Sequence, residues 1–365
     1  MRHSLSKIFS FLALSLSLAL ASCSGRGNYM AFTDNVVYVE AFTEEYSLTG
    51  AEEVDAGVLG VLSLKIMDSL LVVGTSGDPA WKIFSLDDLS EVTSLIRKGN
   101  GPGEFLSVPW LSQVEFYEED GKTFCYLLEF SKSEMYRMDF SESLKMGQAE
   151  IETIGTGLPY LSFGLVYVGD STYYCRVFAD NSTRIERVFV RGGEASVPSW
   201  LEEINSAHVD PGVDFNLLSA GLSYKRDRNL IIETPVYLDN INLYTLDGSF
   251  RKSVNIGRRL SDIDDMQELS IHDRTDTFSG ACLYDDFFAV LYCRETSMEN
   301  YYGKYGEPHI FCFDYEGNPL ADIRLDEHCT DFDFDFDGGF LYASDYERDK
   351  LLRYALPEGF DLGKN

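Results

Sequence analysis

The stretch Ala281-Cys282-Leu283-Tyr284-Asp285-Asp286-Phe287-Phe288-Ala289-Val290-Leu291-Tyr292 reads as two apolar runs hinged on an acidic pair. Phe, Tyr, Val and Leu suit a half-buried pleated surface, and an aspartate at the hinge accepts the backbone of a tight turn, so the stretch predicts a β-hairpin. The same grammar returns at Lys65–Val73 around Asp68, Val114–Leu128 around Asp120 and Leu165–Val177 around Asp170. It appears again at Leu222–Glu233 around Asp227 and at Thr330–Ala343 around Asp337. Successive hinge aspartates therefore stand 50 to 58 residues apart. A third run follows each hairpin and closes in a turn: Trp81–Leu86, Met135–Met138, Ile185–Val190, Ile241–Leu246, His309–Phe313 and Leu351–Leu356.

Six copies of a three- or four-stranded antiparallel sheet need a way to bury both faces, and radial packing around an axis provides it. The expected fold is all-β, a six-bladed β-propeller over residues 35–365. Helical periodicity is nearly absent, apart from candidate short helices near Trp200–Ala207 and Ser261–Leu269. Asn35–Leu48 stands outside the six units and is expected to complete the blade begun by the C-terminal end, which would remove an exposed edge. A chain of 365 residues can then be one domain, because a repeat array grows by stacking and not by enlarging a single core.

Arg2, His3 and Lys7 precede an apolar run from Ile8 to Ala21, too short for a comfortable membrane span and suited to a signal peptide. The run ends in Leu20-Ala21-Ser22-Cys23. That ending resembles a bacterial lipobox, and the resemblance implies a leader over residues 1–22, lipidation of Cys23 and a tether over 23–34. The chain carries 30 basic and 60 acidic residues, a formal charge of −30. Nucleic acid is excluded as a partner, since no basic stripe meets a phosphate backbone, and attachment to a membrane falls to the lipid alone. Ser24 and the following Gly25-Arg26-Gly27-Asn28 favour an outer-membrane anchor facing the periplasm, with cell-surface display as the alternative.

Between the first and second units runs Arg97-Lys98-Gly99-Asn100-Gly101-Pro102-Gly103-Glu104-Phe105, and the last unit contains Asp335-Phe336-Asp337-Gly338-Gly339-Phe340-Leu341-Tyr342-Ala343-Ser344-Asp345. The first string resembles a signature of TolB-like six-bladed propeller lipoproteins of gut-type Gram-negative bacteria; the second resembles an NHL-type repeat. The resemblance implies an exported propeller and brings no catalytic residues with it. The glycine string lacks the Gly-Lys-Ser/Thr ending of a phosphate loop and reads as a tight crossing, with Arg97 and Glu104 expected to pair across it.

Asp331, Asp333, Asp335 and Asp337 alternate with Phe332, Phe334 and Phe336, which on a strand places carboxylates on one face and rings on the other. Asp333-x-Asp335-x-Asp337-Gly338 matches the start of a calcium loop. Ser344, however, stands where a bidentate glutamate belongs, so a solvated strand face is the expectation and calcium the only cofactor candidate. The six cysteines after Cys23 lack CxxC spacing and read as small core hydrophobes, with one or two disulfides left open. No HExxH or GxSxG pattern occurs.

In a propeller, loops after second strands and crossings between blades share one rim, and the acidic turns occupy the other. The longer aromatic inserts all belong to the first rim. Its candidate binding residues are Trp81, Arg97, Glu104, Tyr237 and Asp239, with Tyr301, Tyr302 and Tyr305 of the insert Arg294–Pro308. The function expected is a non-catalytic binding module for a saccharide, a peptide or an envelope protein. The alternative is a divalent-metal-dependent hydrolase or lactonase with its site at the channel.

Overall fold

Three of the six acidic hinges turn on a left-handed backbone. Asp68, Asp120 and Asp170 have φ of 49°, 51° and 48°. The following Gly121 and Ser171 have φ of 71° and 54°, the pattern of two-residue turns whose twist matches paired strands. In the computed structural model, which describes residues 27–158, 162–360 and 362, these turns join strands into six small antiparallel sheets arranged as the blades of a propeller. Blade one is Val61–Met67, Leu70–Thr75, Trp81–Ser85 and Glu91–Leu95, hydrogen-bonded in that order. Blades two and three repeat it with Glu115–Glu119, Lys122–Glu129, Glu134–Asp139 and Ile151–Thr156, then Phe163–Gly169, Thr172–Ala179, Arg184–Arg191 and Glu194–Ser196.

Asn35–Leu48 does not close the C-terminal blade as expected, but adds strands to two other blades. Val36–Val39 adds in parallel outside Arg251–Ile256 as a fifth strand of blade four, and Glu44–Leu48 does the same outside Pro319–Leu325 of blade five. Only Glu52–Glu53 closes blade six, antiparallel to Lys350–Ala355. The arm thus covers the outer edges of three consecutive blades before the chain enters blade one, capping edges that would otherwise invite pairing with another chain. It begins inside the body: Met30, Ala31 and Phe32, expected in a loose tether, are at most 1% exposed. Phe32 meets Tyr244 edge-on at 5.6 Å, and its amide donates to Ser253 Oγ at 2.8 Å.

Period-two alternation sends successive side chains into different interfaces. Val72 packs with Trp81, Cys125 and Leu127 between blades one and two, whereas Leu71 and Val73 pack with Tyr342 and Leu351 between blades six and one. Ile231 faces blade three beside Tyr174, and Leu230 and Ile232 face blade five beside Phe288 and Phe313. The short helices lie where expected, at Glu202–Asn205 and Ile263–Gln267. Phe140–Met146 is a further helix, capped at its start by Asp139 accepting from Glu142 N and at its end by Gly147 with φ of 67°.

The alternating strand at 331–337 is not a solvated face. Phe332 and Phe334 enter the core between blades five and six, and Asp331, Asp333 and Asp335 are each at most 6% exposed. Asp331 accepts from Leu64 N at 3.0 Å, Asp333 from Ile66 N at 2.8 Å, and Lys65 Nζ sits 2.8 Å from Asp333. Tyr284 OH also donates to Asp333 at 2.7 Å. These carboxylates staple the first strand of blade six to that of blade one, where the ring closes. Asp335 accepts from Gly338 N at 2.8 Å, and Asp337 stands exposed on the turn. Asp333 and Asp335 are thus engaged by Lys65 and by backbone amides, Asp337 stands apart from them, and no three metal-ligating side chains cluster among the described residues. The six cysteines among the described residues are free thiols, five of them buried.

Candidate functional site: the loop-rich rim

The crossing from blade one to blade two shapes this rim. In the glycine string, Phe105 N donates to Arg97 O at 2.9 Å and Gly99 N to Phe105 O at 3.0 Å, closing a loop. Glu104 accepts from Gly101 N at 2.8 Å, and Lys132 Nζ reaches the carbonyls of Gly101 and Glu104 at 3.2 and 2.7 Å. The expected Arg97–Glu104 pair does not form. Arg97 is exposed and in no ion pair among the described residues, and Glu104 serves the loop's own backbone.

Beyond the string the chain crosses the axis. The turn Leu111–Gln113 packs against the first strands of blades one, four and five, and Leu111 N donates to Ser63 Oγ at 3.1 Å. This turn stoppers the channel from the loop-rich side and leaves a cavity of about 120 Å³ beneath it, lined by Leu64, Lys65, Glu115, Tyr224 and Cys282. Below that, Arg226 grips Glu115 through two bonds of 2.7 and 2.9 Å and lies 5.2 Å from the rings of Tyr117, Tyr126 and Tyr224. The Leu111–Gln113 turn on one side and the Arg226–Glu115 pair on the other thus place the protein's own groups next to the axial cavity.

Trp110, just before the stopper, is 38% exposed and meets Tyr346 edge-on at 5.5 Å. A cavity opens on either side of it. The one between blades five and six holds about 380 Å³ and includes Asp276, Phe278, Glu295, His328 and Tyr346 in its wall. His328 places Nδ1 2.9 Å from Asp345 and Nε2 3.3 Å from Glu295. Burial opposes the charged imidazole, but Asp345 and Glu295 override it and push His328 up to about 9. Burial also works to raise Asp345, yet the bonds from His328 and Arg348 hold it down at about 2. Asp276 has no such cation; burial, reinforced by Glu295 and Glu347, pushes it up to about 6.

The second cavity, between blades two, three and four, holds about 410 Å³ and includes Trp110, Phe130, Phe163, Leu222 and Arg176 in its wall. Behind it lies a buried charge cluster. Arg187 donates to Glu233 through Nε at 3.1 Å and through Nη2, and Tyr244 OH donates to the same carboxylate at 2.8 Å. Burial would raise the Glu233 carboxyl, but Arg187 and Arg176 win and hold it below its usual range. A broader depression of about 1000 Å³ lies on the opposite rim along Leu356–Phe360.

The sequence candidates distribute unevenly around this geometry. Trp81 is fully buried between blades one and two, 6.0 Å from Phe116, and so is a core residue rather than a rim residue. Tyr237 is half-buried behind the rim, and burial raises its hydroxyl. Asp239 accepts from Tyr292 OH at 3.2 Å and lies 3.8 Å from Arg294. In the insert, the Tyr305 ring lies tilted over His328 with centroids 4.2 Å apart and Gly306 N donates to Glu295 at 2.7 Å, pinning the insert beside the first cavity. Tyr301 and Tyr302, at the end of the helix Ser297–Tyr301, stand 81% and 64% exposed. Cys23 and the leader 1–22 lie outside the described residues. Sequence reasoning passed over Trp110, Arg176, His328 and Glu295. Charges interrupting apolar strands, as in Tyr174-Cys175-Arg176-Val177 and Ile231-Ile232-Glu233-Thr234, were the available signal.

No family model matches the chain, and no curated protein does. Among solved structures it is similar in fold to an exported protein from Bacteroides fragilis, with 10% identity and a TM-score of 0.47 over 88% of this chain and 98% of that one. A member of the DUF4221 family from Bacteroides vulgatus gives 10% identity and 0.48 over 81% and 94%. A protein of unknown function from Bacteroides thetaiotaomicron gives 10% and 0.44 over 86% and 75%.

Proposed function

We propose that the chain is an exported, lipid-anchored binding protein that holds a saccharide, a peptide or an envelope protein at the loop-rich rim without transforming it. The observation that carries this reading is the pair of cavities flanking half-exposed Trp110, on the rim whose connections vary most. Aromatic walls with a few placed charges are what small recognition sites are made of. Binding is favoured over catalysis because both nitrogens of His328 are engaged by carboxylates, which leaves no free imidazole base there. Burial raises the thiols of the six described cysteines, which opposes a thiolate nucleophile. The leader and Leu20-Ala21-Ser22-Cys23 support the anchor, and the glycine string and final unit support a TolB-like or NHL-like kinship.

The test is a glycan and envelope-peptide array probed with the body lacking residues 1–23. Trp110→Ala is expected to weaken retention of the selected ligand by about tenfold or more, as loss of an interface anchor does. Phe336→Ala, exposed on the opposite rim, is expected to leave it unchanged. Equal retention by the Trp110 variant, or loss in the Phe336 variant, overturns the assignment of the rim.

A further inference from the structure

The cavity between blades five and six gathers more acid than base, and one of its carboxylates is left over. Asp345 is taken by His328 and Arg348, and Glu295 accepts from Gly306 N while facing His328 Nε2 at 3.3 Å. Glu347 stands exposed on the turn that follows Asp345. Asp276 is placed differently. It is partly exposed in the cavity wall and pairs with Glu295 across the strands Thr275–Leu283 and Phe287–Thr296. No donor and no cation acts on its carboxyl; burial, Glu295 and Glu347 all work in the same direction. An accessible acid held among other acids, inside a wall, gains most from a cation that arrives from outside.

The rest of the wall suits an organic cation and not a bare metal ion. Trp110 and Tyr346 both line the cavity, 38% and 44% exposed, with Phe278, Val236 and Leu291 completing an apolar lining. Burial raises the Tyr346 hydroxyl, and Glu347 and Asp276 add to the rise, which places Asp276 within electrostatic reach of that ring. An ammonium group is attracted by aromatic faces as well as by a carboxylate. A calcium or magnesium ion needs several oxygens, and no three metal-ligating side chains cluster among the described residues. The volume of about 380 Å³ suits a small ligand.

We infer that this cavity receives a small primary amine with a flat apolar body, its ammonium donating to Asp276 and its body lying against Trp110 and Tyr346. The inference rests on the reading of the loop-rich rim as the binding face and names the chemistry of one of its two cavities. His328 does not compete for Asp276, because both of its nitrogens are engaged by Asp345 and Glu295.

The probe is 2-phenylethylamine, compared by calorimetry with the neutral 2-phenylethanol on the wild-type body. The amine is expected to bind at least about tenfold more tightly, the factor set by one charge-assisted hydrogen bond. N-acetyl-lysine methylamide carries its ammonium on a peptide side chain without a ring, and is expected to bind about tenfold more weakly than the arylamine. Calcium and magnesium are expected not to compete. Asp276→Asn is expected to bring amine and alcohol within about threefold, the attraction of the rings remaining. Ser279→Trp, which fills the cavity from blade five, is expected to abolish binding of both. Alcohol that binds as well as amine, absence of amine binding, a lysine derivative that binds as tightly, displacement by either metal ion, or an unchanged preference in Asp276→Asn each overturn the inference. The wild-type comparison decides even if a variant fails to fold. Amines that fail beside an array ligand dependent on Trp110 sink the ammonium site and leave the binding face standing. Amines that need Asp276, with no array ligand dependent on Trp110, keep the site and remove the broader reading.

Discussion

The two cavities beside Trp110 are built from the same parts of the fold: the starts of first strands, the ends of second strands and a crossing. Their charge balance is opposite. Between blades three and four, Arg176 and Arg187 share Glu233. Between blades five and six, Asp345, Glu295, Asp276 and Glu347 gather around His328 and Arg348. In the first cluster a single carboxylate serves two cations and leaves Arg176 incompletely paired; in the second the histidine has two acids, and each can compensate for the other. Propeller geometry thus decides where a ligand can sit, and a few charges set into apolar strands decide what it can be.

Removing the one shared acid is the sharpest way to break this comparison. Glu233→Gln leaves Arg187, with no exposed surface, and Arg176 facing each other without an anion. The expected cost is about 3–5 kcal/mol, the range for breaking a buried pair by deleting one partner. Glu295→Gln, which leaves His328 its Asp345 partner at 2.9 Å, is expected to cost about 1–2 kcal/mol. Urea unfolding of both variants is the measurement. Equal losses would show that the two clusters do not differ in redundancy.

The next effect is smaller and appears with pH. The His328 pKa lies near 9 in the fold against 6.5 when free, so its contribution is complete below pH 6.5 and disappears as pH rises through 9. The size is at most about 3 kcal/mol. Asp276 acts in a separate window: with its pKa raised from 3.8 to about 6, it removes stability as pH rises between those values. His328→Gln is expected to flatten the alkaline limb of thermal stability and leave the acid limb in place. A wild-type profile that is level between pH 6.5 and 9 would contradict the double carboxylate clamp.

Blade number and strand direction were readable in the sequence because a hairpin carries its own evidence: alternation on both sides of an acidic turn, repeated at near-constant spacing. The two rims were readable for the same reason. The belt of Val36–Val39 and Glu44–Leu48 was not, since pairing with Arg251–Ile256 and Pro319–Leu325 joins segments far apart in the chain and leaves no local trace. Asp331, Asp333 and Asp335 looked like a solvated face because carboxylates usually are; their acceptors' partners, Leu64 N and Ile66 N, are backbone groups on another blade. Trp81 misled in the opposite direction, as an aromatic ring beside a loop that belongs to an inter-blade core. Arg176 shows the general limit. A charge inside an apolar strand announces that something must meet it, but only the packing shows that Glu233 is already taken.

The smallest expected effect tests whether that incomplete pairing is real. An arginine whose burial is only partly compensated destabilises the empty protein, so Arg176→Met, which keeps the length of the apolar stem, is expected to be neutral or to stabilise by about 1 kcal/mol. The same change in a fully paired guanidinium, Arg187→Met, is expected to destabilise, because Glu233 would lose its closest donors. Opposite signs from two neighbouring arginines, measured by urea unfolding without ligand, would place the surplus charge at Arg176. A loss in both would show that Glu233 satisfies two cations after all, and the contrast between the two cavities would narrow to a difference in shape.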